Sequence, residues 1–360
     1  MQTTRLNCAQ AGSIRKESMN FFDALWDLTG MAYIFGKIQS KEVKDETPEF
    51  YLKEVRPTKF SYRPQTLNEY IGQEKAKELV MLTLQKINEV KPCHILITGT
   101  KGHGKSTLAQ IIANHLQFPI TYHIGGVFTM ENLRDFILAN EKSDQPMILF
   151  VDETHNLEKK IGEFMYPILE DFILPTNSAK IRPFIFIGAT TEKFTLLKKF
   201  SPLVDRCGAQ IQLEHYKPAD IKEILIQYNS QVYNQEVEEA IYELLSQNSR
   251  LTPRIALSIF DDYMVCKNEA TVLRSRRIIK NSLTDIDITI LEHLQEIDKP
   301  VGEEALAIIA GIERADFKLF TEPFLMQEGY MTRTARGRVI TLKGKELVKD
   351  LKCLNATASK

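Results

Sequence analysis

Short apolar runs alternate with amphipathic stretches between residues 56 and 213. A continuous apolar run is typical of a parallel strand that is covered on both faces, and a period of 3.6 residues is typical of a helix packed on such a sheet. The predicted strands cover residues 95–97, 119–122, 147–151 and 184–187, and the predicted helices cover residues 68–89, 108–112 and 130–140. This alternation predicts an α/β domain with a doubly wound parallel sheet, whose chemistry lies at the carboxyl ends of the strands.

Beyond about Glu214 the strand pattern gives way to helical patterns. Three helices are predicted at 218–231, 235–247 and 253–267, the first with a proline in its opening turn. From Asp285, three short helical patterns precede two β-prone pieces joined by a basic turn, as in a winged helix. We therefore expect an α/β domain at 56–213, a helical lid domain at 214–283, a winged-helix domain at 284–351 and a disordered tail at 352–360.

Residues 1–55 form an N-terminal extension that does not resemble a domain of its own. Its most apolar stretch, residues 21–38, contains Asp23 and Asp27, which argues against a signal peptide or a membrane span. The stretch, with the only tryptophan, Trp26, could pack on the next domain or dock on a neighbouring subunit or partner. The sequence leaves both alternatives open.

Composition restricts the partners and the compartment. With 360 residues and a net charge of -1, the chain has no overall basic character, so a nucleic-acid surface must be local. The five cysteines are scattered without a C-x-x-C pair, which argues against zinc and a disulfide framework. A reducing cytoplasm fits this usage best.

The strongest motif lies between the predicted strand at 95–97 and the helix that follows it. Residues 99–106, GTKGHGKS, match the phosphate loop G-x-x-x-x-G-K-[ST] in its required strand–loop–helix setting. Glycines let backbone N–H groups surround phosphate oxygens, the lysine reaches the β- and γ-phosphates, and the serine hydroxyl holds Mg²⁺. The predicted contacts to a nucleoside triphosphate are Gly99, Gly102, Gly104, Lys105, Ser106 and Thr107. The chain has no G-x-G-x-x-G motif for a dinucleotide.

Polar residues follow two later strands. Asp152 ends an apolar strand, where it is expected to be the second Mg²⁺ anchor, and Glu153 beside it can polarise the attacking water. Thr190 and Thr191 end the next strand, where a hydroxyl can hold the γ-phosphate or the water. The alternatives are a solvated acidic strand end and two structural threonines.

Arginines complete the candidate chemistry. Arg206 is placed to project toward a phosphate held by a neighbouring subunit, although a surface salt bridge is equally compatible with its position. Arg254 opens a helix of the second domain and can reach back over the nucleotide. Arg333, Arg336 and Arg338 form a basic wing tip suited to DNA phosphates of any sequence, unless the turn is simply solvated.

These motifs together resemble the RuvB family, the AAA+ motors that drive branch migration of Holliday junctions in bacteria. The resemblance covers about Arg56 to Leu347, and its most specific parts are the C-terminal strings EPFLMQEGY and RTARGR. It implies ATP and Mg²⁺ as ligands, a homohexameric ring, Thr191 as sensor 1, Arg206 as the arginine finger and Arg254 as sensor 2. It also implies nucleotide contacts by Tyr62, Arg63, Tyr216 and Arg254, and DNA contacts by Arg314, Arg333 and Arg338.

The chain departs from the family pattern at four places. Thr100-Lys101 and His103 replace two prolines and a hydrophobic residue in the loop, Val204 replaces an arginine, and Leu251 replaces a glycine. The stretch between Asp171 and Phe184 is too short for the family's hairpin that docks on RuvA. A RuvA-type partner is therefore doubtful on sequence grounds, whereas the motor and DNA binding are better supported.

Three functions remain in competition. The first is an ATP-dependent translocase acting on branched DNA in recombination and repair. The second is a nucleotide-switched DNA-binding module of clamp-loader or initiator type with slow turnover. The third, a small-molecule or protein-remodelling ATPase, is least favoured because of the winged-helix resemblance.

Overall fold

The computed structural model describes residues 62–89 and 92–358. The predictions for the N-terminal extension lie outside the described residues. The chain forms two compact units, one reaching to Asp261 and the other beginning at Asp262. No helix among the described residues has the length and apolar character needed to cross a membrane.

The first unit is built on a five-stranded parallel sheet, as the sequence predicts. Its strands are β1 (Ile95–Thr98), β2 (Ile120–Ile124), β3 (Ile148–Asp152), β4 (Ile185–Thr190) and β5 (Ala209–Gln212), in the order β2-β3-β4-β1-β5. The register places Thr98 opposite Thr190 and Val151 opposite Gly188. The carboxyl ends of β1, β3 and β4 therefore meet at one edge, where the phosphate loop and the acidic pair lie.

Helices cover both faces of this sheet and bury two apolar cores against it. They are α1 (Glu74–Glu89), α2 (Lys105–Leu116), α3 (Met130–Lys142), α4 (Lys159–Asp171) and α5 (Lys193–Asp205). Three further helices follow β5: α6 (Pro218–Val232), α7 (Glu239–Gln247) and α8 (Pro253–Cys266), which crosses the unit boundary. One core packs α3, α4 and α5 against the sheet, and the other packs α1 and α2.

The second unit contains the predicted winged helix. After α8 come α9 (Glu269–Ser275), β6 (Ile278–Lys280), β7 (Leu283–Thr284), α10 (Asp285–Ile297), α11 (Glu303–Ile309), α12 (Arg314–Asp316), a π-helical turn (Phe317–Thr321), α13 (Glu322–Gln327), β8 (Met331–Thr334), β9 (Gly337–Ile340) and α14 (Leu342–Ala358). The strands β8 and β9 form the wing hairpin, with Arg333 opposite Arg338. Residues 352–358 continue α14, where the sequence predicted a disordered tail.

The structure shortens two predicted helices and adds other elements. The helix predicted over 235–247 begins only at Glu239. The helix predicted over 68–89 begins only at Glu74, because Gly72 and Gln73 adopt left-handed backbone angles of φ 69° and 59°. Strand β5 was not predicted, since its four residues are too few for a clear alternation. Helices α4, α5, α9 and α14 were also not predicted, nor were the short strands β6 and β7, which lie where the sequence predicted only helices.

Between Asp171 and Phe184 the chain makes only a small hairpin. Leu174 N donates to Ala179 O at 2.9 Å, and Ile173 pairs with Lys180 as an isolated bridge. This agrees with the expectation that a projecting hairpin is missing here.

Candidate nucleotide and DNA sites

The phosphate loop contains two glycines that no other residue can replace without strain. Gly102 and Gly104 have φ of 85° and 93°, in the left-handed region. A Cβ on Gly104 would lie 2.8 Å from Tyr70 Oη, and one on Gly102 would lie 2.8 Å from Thr252 Cγ2. The loop therefore forms a tight backbone cradle immediately before α2.

Lys105 is folded into this cradle. Its ammonium donates to Gly99 O at 2.9 Å and to Thr100 O at 3.2 Å, and only 7% of the residue is exposed. Burial lowers the pKa of Lys105, whereas the carboxylates of Asp152 and Glu153 oppose that shift. The ammonium thus lies inside the loop, where it can bind phosphate oxygens.

Ser106 and Asp152 converge as the sequence predicts for a metal site. The Ser106 hydroxyl donates to Asp152 Oδ2 at 3.4 Å, and Glu153 N donates to Asp152 Oδ1 at 2.9 Å. Mg²⁺ in nucleotide sites takes one or two protein oxygens and completes its octahedron with phosphates and water. This pair of hard oxygen ligands beside the loop fits such an ion.

Glu153 is held by the residues that end β4. The Thr191 hydroxyl donates to Glu153 Oε2 at 3.0 Å, and His155 Nδ1 lies 3.4 Å from the same oxygen. Thr190 is fully buried, and its hydroxyl lies 2.8 Å from His155 Nδ1. Of the two threonines, Thr191 is therefore the one that contacts the candidate base, and His155 is a neighbour that the sequence motif did not single out.

Two tyrosine hydroxyls donate hydrogen bonds to one carbonyl of the phosphate loop. Tyr70 Oη donates to His103 O at 3.1 Å, and Tyr216 Oη donates to the same carbonyl at 3.3 Å. The ring of His103 is buried, which, together with the nearby His215, lowers its pKa to about 4. His103 is therefore neutral near pH 7 and occupies an interior position.

A cavity of about 480 Å³ extends from the loop toward the helices α6 and α8. The predicted nucleotide residues that line it are Tyr62, Arg63, Gly102, Gly104, Lys105, Ser106, Thr107, Asp152, Glu153, Tyr216 and Arg254. Gly99 does not line the cavity directly, and its part in the site is the carbonyl that receives the lysine ammonium. A single cavity thus brings together most of the residues that the sequence assigned to nucleotide binding.

The far end of this cavity contains residues that the sequence motifs missed. The Tyr228 hydroxyl donates to Asp261 Oδ1 at 2.8 Å, and the Tyr62 ring lies 6.3 Å from the Tyr228 ring. Burial and the nearby Glu69 raise the pKa of Tyr62 to about 12. The Tyr62 hydroxyl is buried and has no hydrogen-bond partner within the described residues. It is therefore available to a bound ligand.

Arg206 is not part of the cavity in its own unit. Its terminal nitrogens donate to Pro202 O at 2.7 Å and to the Glu170 carboxylate, and its guanidinium carbon lies 5.3 Å from the centre of the Tyr166 ring. The guanidinium is thus anchored on the outside of the α/β unit, on α4.

The wing separates its arginines into two kinds. Arg333 and Arg336 are exposed, whereas Arg338 is only 5% exposed. Arg338 Nε donates to Glu322 Oε1 at 2.7 Å, and its Nη2 donates to Glu303 Oε2 at 2.6 Å. The predicted basic tip of three arginines therefore contains two, because two carboxylates hold the third inside the fold. Arg314 is exposed but also paired with Glu303.

Two protein-family descriptions match the chain. Residues 62–213 match the Holliday junction DNA helicase RuvB P-loop domain, and residues 280–349 match the RuvB C-terminal winged helix domain. The "Holliday junction branch migration complex subunit RuvB" of Thermotoga maritima is 35% identical over 307 residues, covering 78% of this chain and 90% of the relative. The protein of the same name from Mycoplasma genitalium is 31% identical over 301 residues, covering 79% and 96%.

A solved structure agrees with these sequence matches. The structure titled "Thermotoga maritima RuvB Holliday junction branch migration motor" superposes with a TM-score of 0.67 at 34% identity. The superposition covers 80% of this chain and 98% of that one.

Proposed function

The chain belongs to the RuvB family, and from that premise we propose that it is an ATP-driven DNA translocase that acts on Holliday junctions in recombination and repair. The observation that carries the proposal is the assembled site at the edge of the parallel sheet. There Lys105, the Ser106–Asp152 pair and Glu153 line one cavity, and the Thr191 hydroxyl donates to the Glu153 carboxylate.

Nucleotide binding and cleavage are divided among these residues. Backbone N–H groups of the loop and the Lys105 ammonium would bind the phosphates, with Tyr62, Tyr216 and Arg254 around the rest of the nucleotide. Mg²⁺ held by Ser106 and Asp152 would neutralise phosphate charge. Glu153 would accept a proton from the attacking water, and the Thr191 hydroxyl orients its carboxylate.

Assembly would complete the site. Because Arg206 lies on the outside of its own unit, we infer that it serves the nucleotide of an adjacent copy in a homohexameric ring. Hydrolysis would then depend on assembly. The exposed wing arginines Arg333 and Arg336 would follow DNA phosphates without reading sequence.

Both curated relatives are named as subunits of a branch migration complex. Since a complex subunit works with another protein, this name argues against the expectation from the sequence that a RuvA-type partner is doubtful. We therefore propose that this chain also works with a partner protein, and that the small hairpin around Ile173 and Lys180 gives it a reduced docking surface there. A cytoplasmic location stays a prediction.

A slow, nucleotide-switched DNA binder is the second candidate. The observation that favours it is Val204, which is 1% exposed in the core where the family has a second arginine near the finger. One arginine fewer in the segment around Arg206 would leave less positive charge to stabilise the phosphates in the transition state, and hydrolysis would be slower.

The test of the proposal measures ATP hydrolysis against the concentration of four-way junction DNA for wild type, Arg336→Ala and Arg338→Ala. We expect DNA to stimulate ATP hydrolysis by the wild type.

The two wing variants should differ in their defect. Arg336→Ala should fold normally and bind DNA less tightly, and in a DNA-binding titration at several salt concentrations it should reduce the slope of log affinity against log salt by about one. Arg338→Ala should instead lower the free energy of unfolding of the winged helix by about 3–5 kcal/mol, because it leaves the buried Glu322 carboxylate without its ion-pair partner, whereas Glu303 keeps Arg314.

A wild type whose hydrolysis ignores DNA would contradict the motor. If Arg336→Ala and Arg338→Ala lower the free energy of unfolding equally in urea denaturation, the assignment of Arg336 to DNA binding and of Arg338 to stability is wrong.

A further inference from the structure

Three groups contact the guanidinium of Arg206: two side chains of α4 and one backbone carbonyl of α5. Tyr166 and Glu170 are four residues apart on α4, so they share one face of that helix. The ring lies under the guanidinium, the carboxylate takes one terminal nitrogen, and Pro202 O takes the other. Arg206 therefore has a defined position before any neighbour arrives.

This anchoring leaves part of the guanidinium for another ligand. An arginine has five N–H donors, and here Glu170 and Pro202 take one from each terminal nitrogen. The Nε donor is buried without a hydrogen-bond partner among the described residues. One N–H remains on each terminal nitrogen, which is the pair that a phosphate can accept in a forked contact.

The contribution of Glu170 to folding should be small. Its side chain is 56% exposed, and ion pairs of this kind contribute little to stability because water screens them. Its effect on the geometry of Arg206 is larger, because without the carboxylate only Pro202 O and the Tyr166 ring would hold the long side chain, which would then sample more rotamers. A group that must reach a phosphate across a subunit contact acts faster when it is already oriented.

We propose that Glu170 is a positioning residue, which orders Arg206 for the nucleotide site of the adjacent copy. This inference rests on the proposed function, since it requires Arg206 to act in a neighbour's site. Tyr166 supports the same geometry through its ring.

The first experiment compares Glu170→Ala, Glu170→Gln and Glu163→Ala. Glu163 is a matched control, because it lies on the same helix and pairs at 3.7 Å with Lys159 rather than with Arg206. We expect Glu170→Ala to lower kcat for ATP about tenfold with KM and melting temperature unchanged. Glu170→Gln keeps an oxygen acceptor and should recover most of the rate, and Glu163→Ala should match wild type.

The second experiment asks in which subunit Glu170 acts. Glu153→Gln subunits should hydrolyse ATP very slowly but carry an intact Arg206, so they can supply it to a neighbour. Mixing them with Glu170→Ala subunits should give a rate above the weighted mean of the two separate proteins. A defect confined to the nucleotide site of the mutated subunit would show no such gain.

A parallel mixture of Arg206→Ala with Glu153→Gln separates the inference from the proposed function. Gain in this mixture without gain in the Glu170→Ala mixture overturns the role of Glu170 and leaves the trans-acting arginine intact. No gain in either mixture overturns both. A Glu170→Ala protein faster than wild type also overturns the inference, because the carboxylate would then restrain Arg206.

Discussion

Arg206→Ala is expected to lower DNA-stimulated ATP hydrolysis by a factor of about 10³ or more, the range that an arginine finger contributes in phosphoryl transfer. ATP binding should not change, because Arg206 does not line the cavity of its own unit. Steady-state hydrolysis and a nucleotide-binding titration on the same preparation measure the two effects. Lys198→Ala is the control, since Lys198 is an exposed cation on helix α5, which ends immediately before Arg206.

The contrary result is equally clear for Arg206. If the variant hydrolyses ATP at the wild-type rate, the contacts of Arg206 with Glu170 and Pro202 are a surface ion pair and a hydrogen bond with no part in hydrolysis. A variant that loses ATP binding would place the guanidinium in its own nucleotide site instead of a neighbour's.

Glu153→Gln is expected to lower hydrolysis by about 10²–10⁴, the usual contribution of a general base. An amide cannot take the proton of the attacking water, but it still accepts the hydrogen bond from the Thr191 hydroxyl, so the local geometry should persist. ATP should bind with wild-type affinity. Rapid-quench measurement of a single turnover tests this directly, because it isolates cleavage from product release.

The matched control for this variant is Glu158→Gln, an exposed carboxylate that follows β3 a few residues later. It should hydrolyse ATP normally. A Glu153→Gln protein with a normal single-turnover rate would exclude Glu153 as the base and direct attention to its neighbour His155.

The phosphate loop could be predicted in detail because its chemistry is contiguous in sequence. The glycines, Lys105 and Ser106 act through backbone angles and local reach, and the structure places them as the motif predicts. The parallel sheet could also be predicted, because buried strands appear as apolar runs.

Contacts between distant residues could not be predicted in this way. Asp261 and Tyr228 are far apart in sequence and meet only because helices α6 and α8 pack together. The burial of Arg338 depends on Glu303 and Glu322 from two other helices, so a basic string alone could not show which arginine faces solvent. The same holds for Glu170, whose role becomes visible only beside Arg206.

The most direct test of the account is whether the wild-type protein moves DNA strands at the expense of ATP. A labelled four-way junction is incubated with the protein and ATP, and its separation into duplex arms is followed over time. The account predicts separation with ATP, and none with a non-hydrolysable ATP analogue or with Glu153→Gln. A junction that is bound tightly with ATP, yet never separated, would contradict the motor and favour the nucleotide-switched binder.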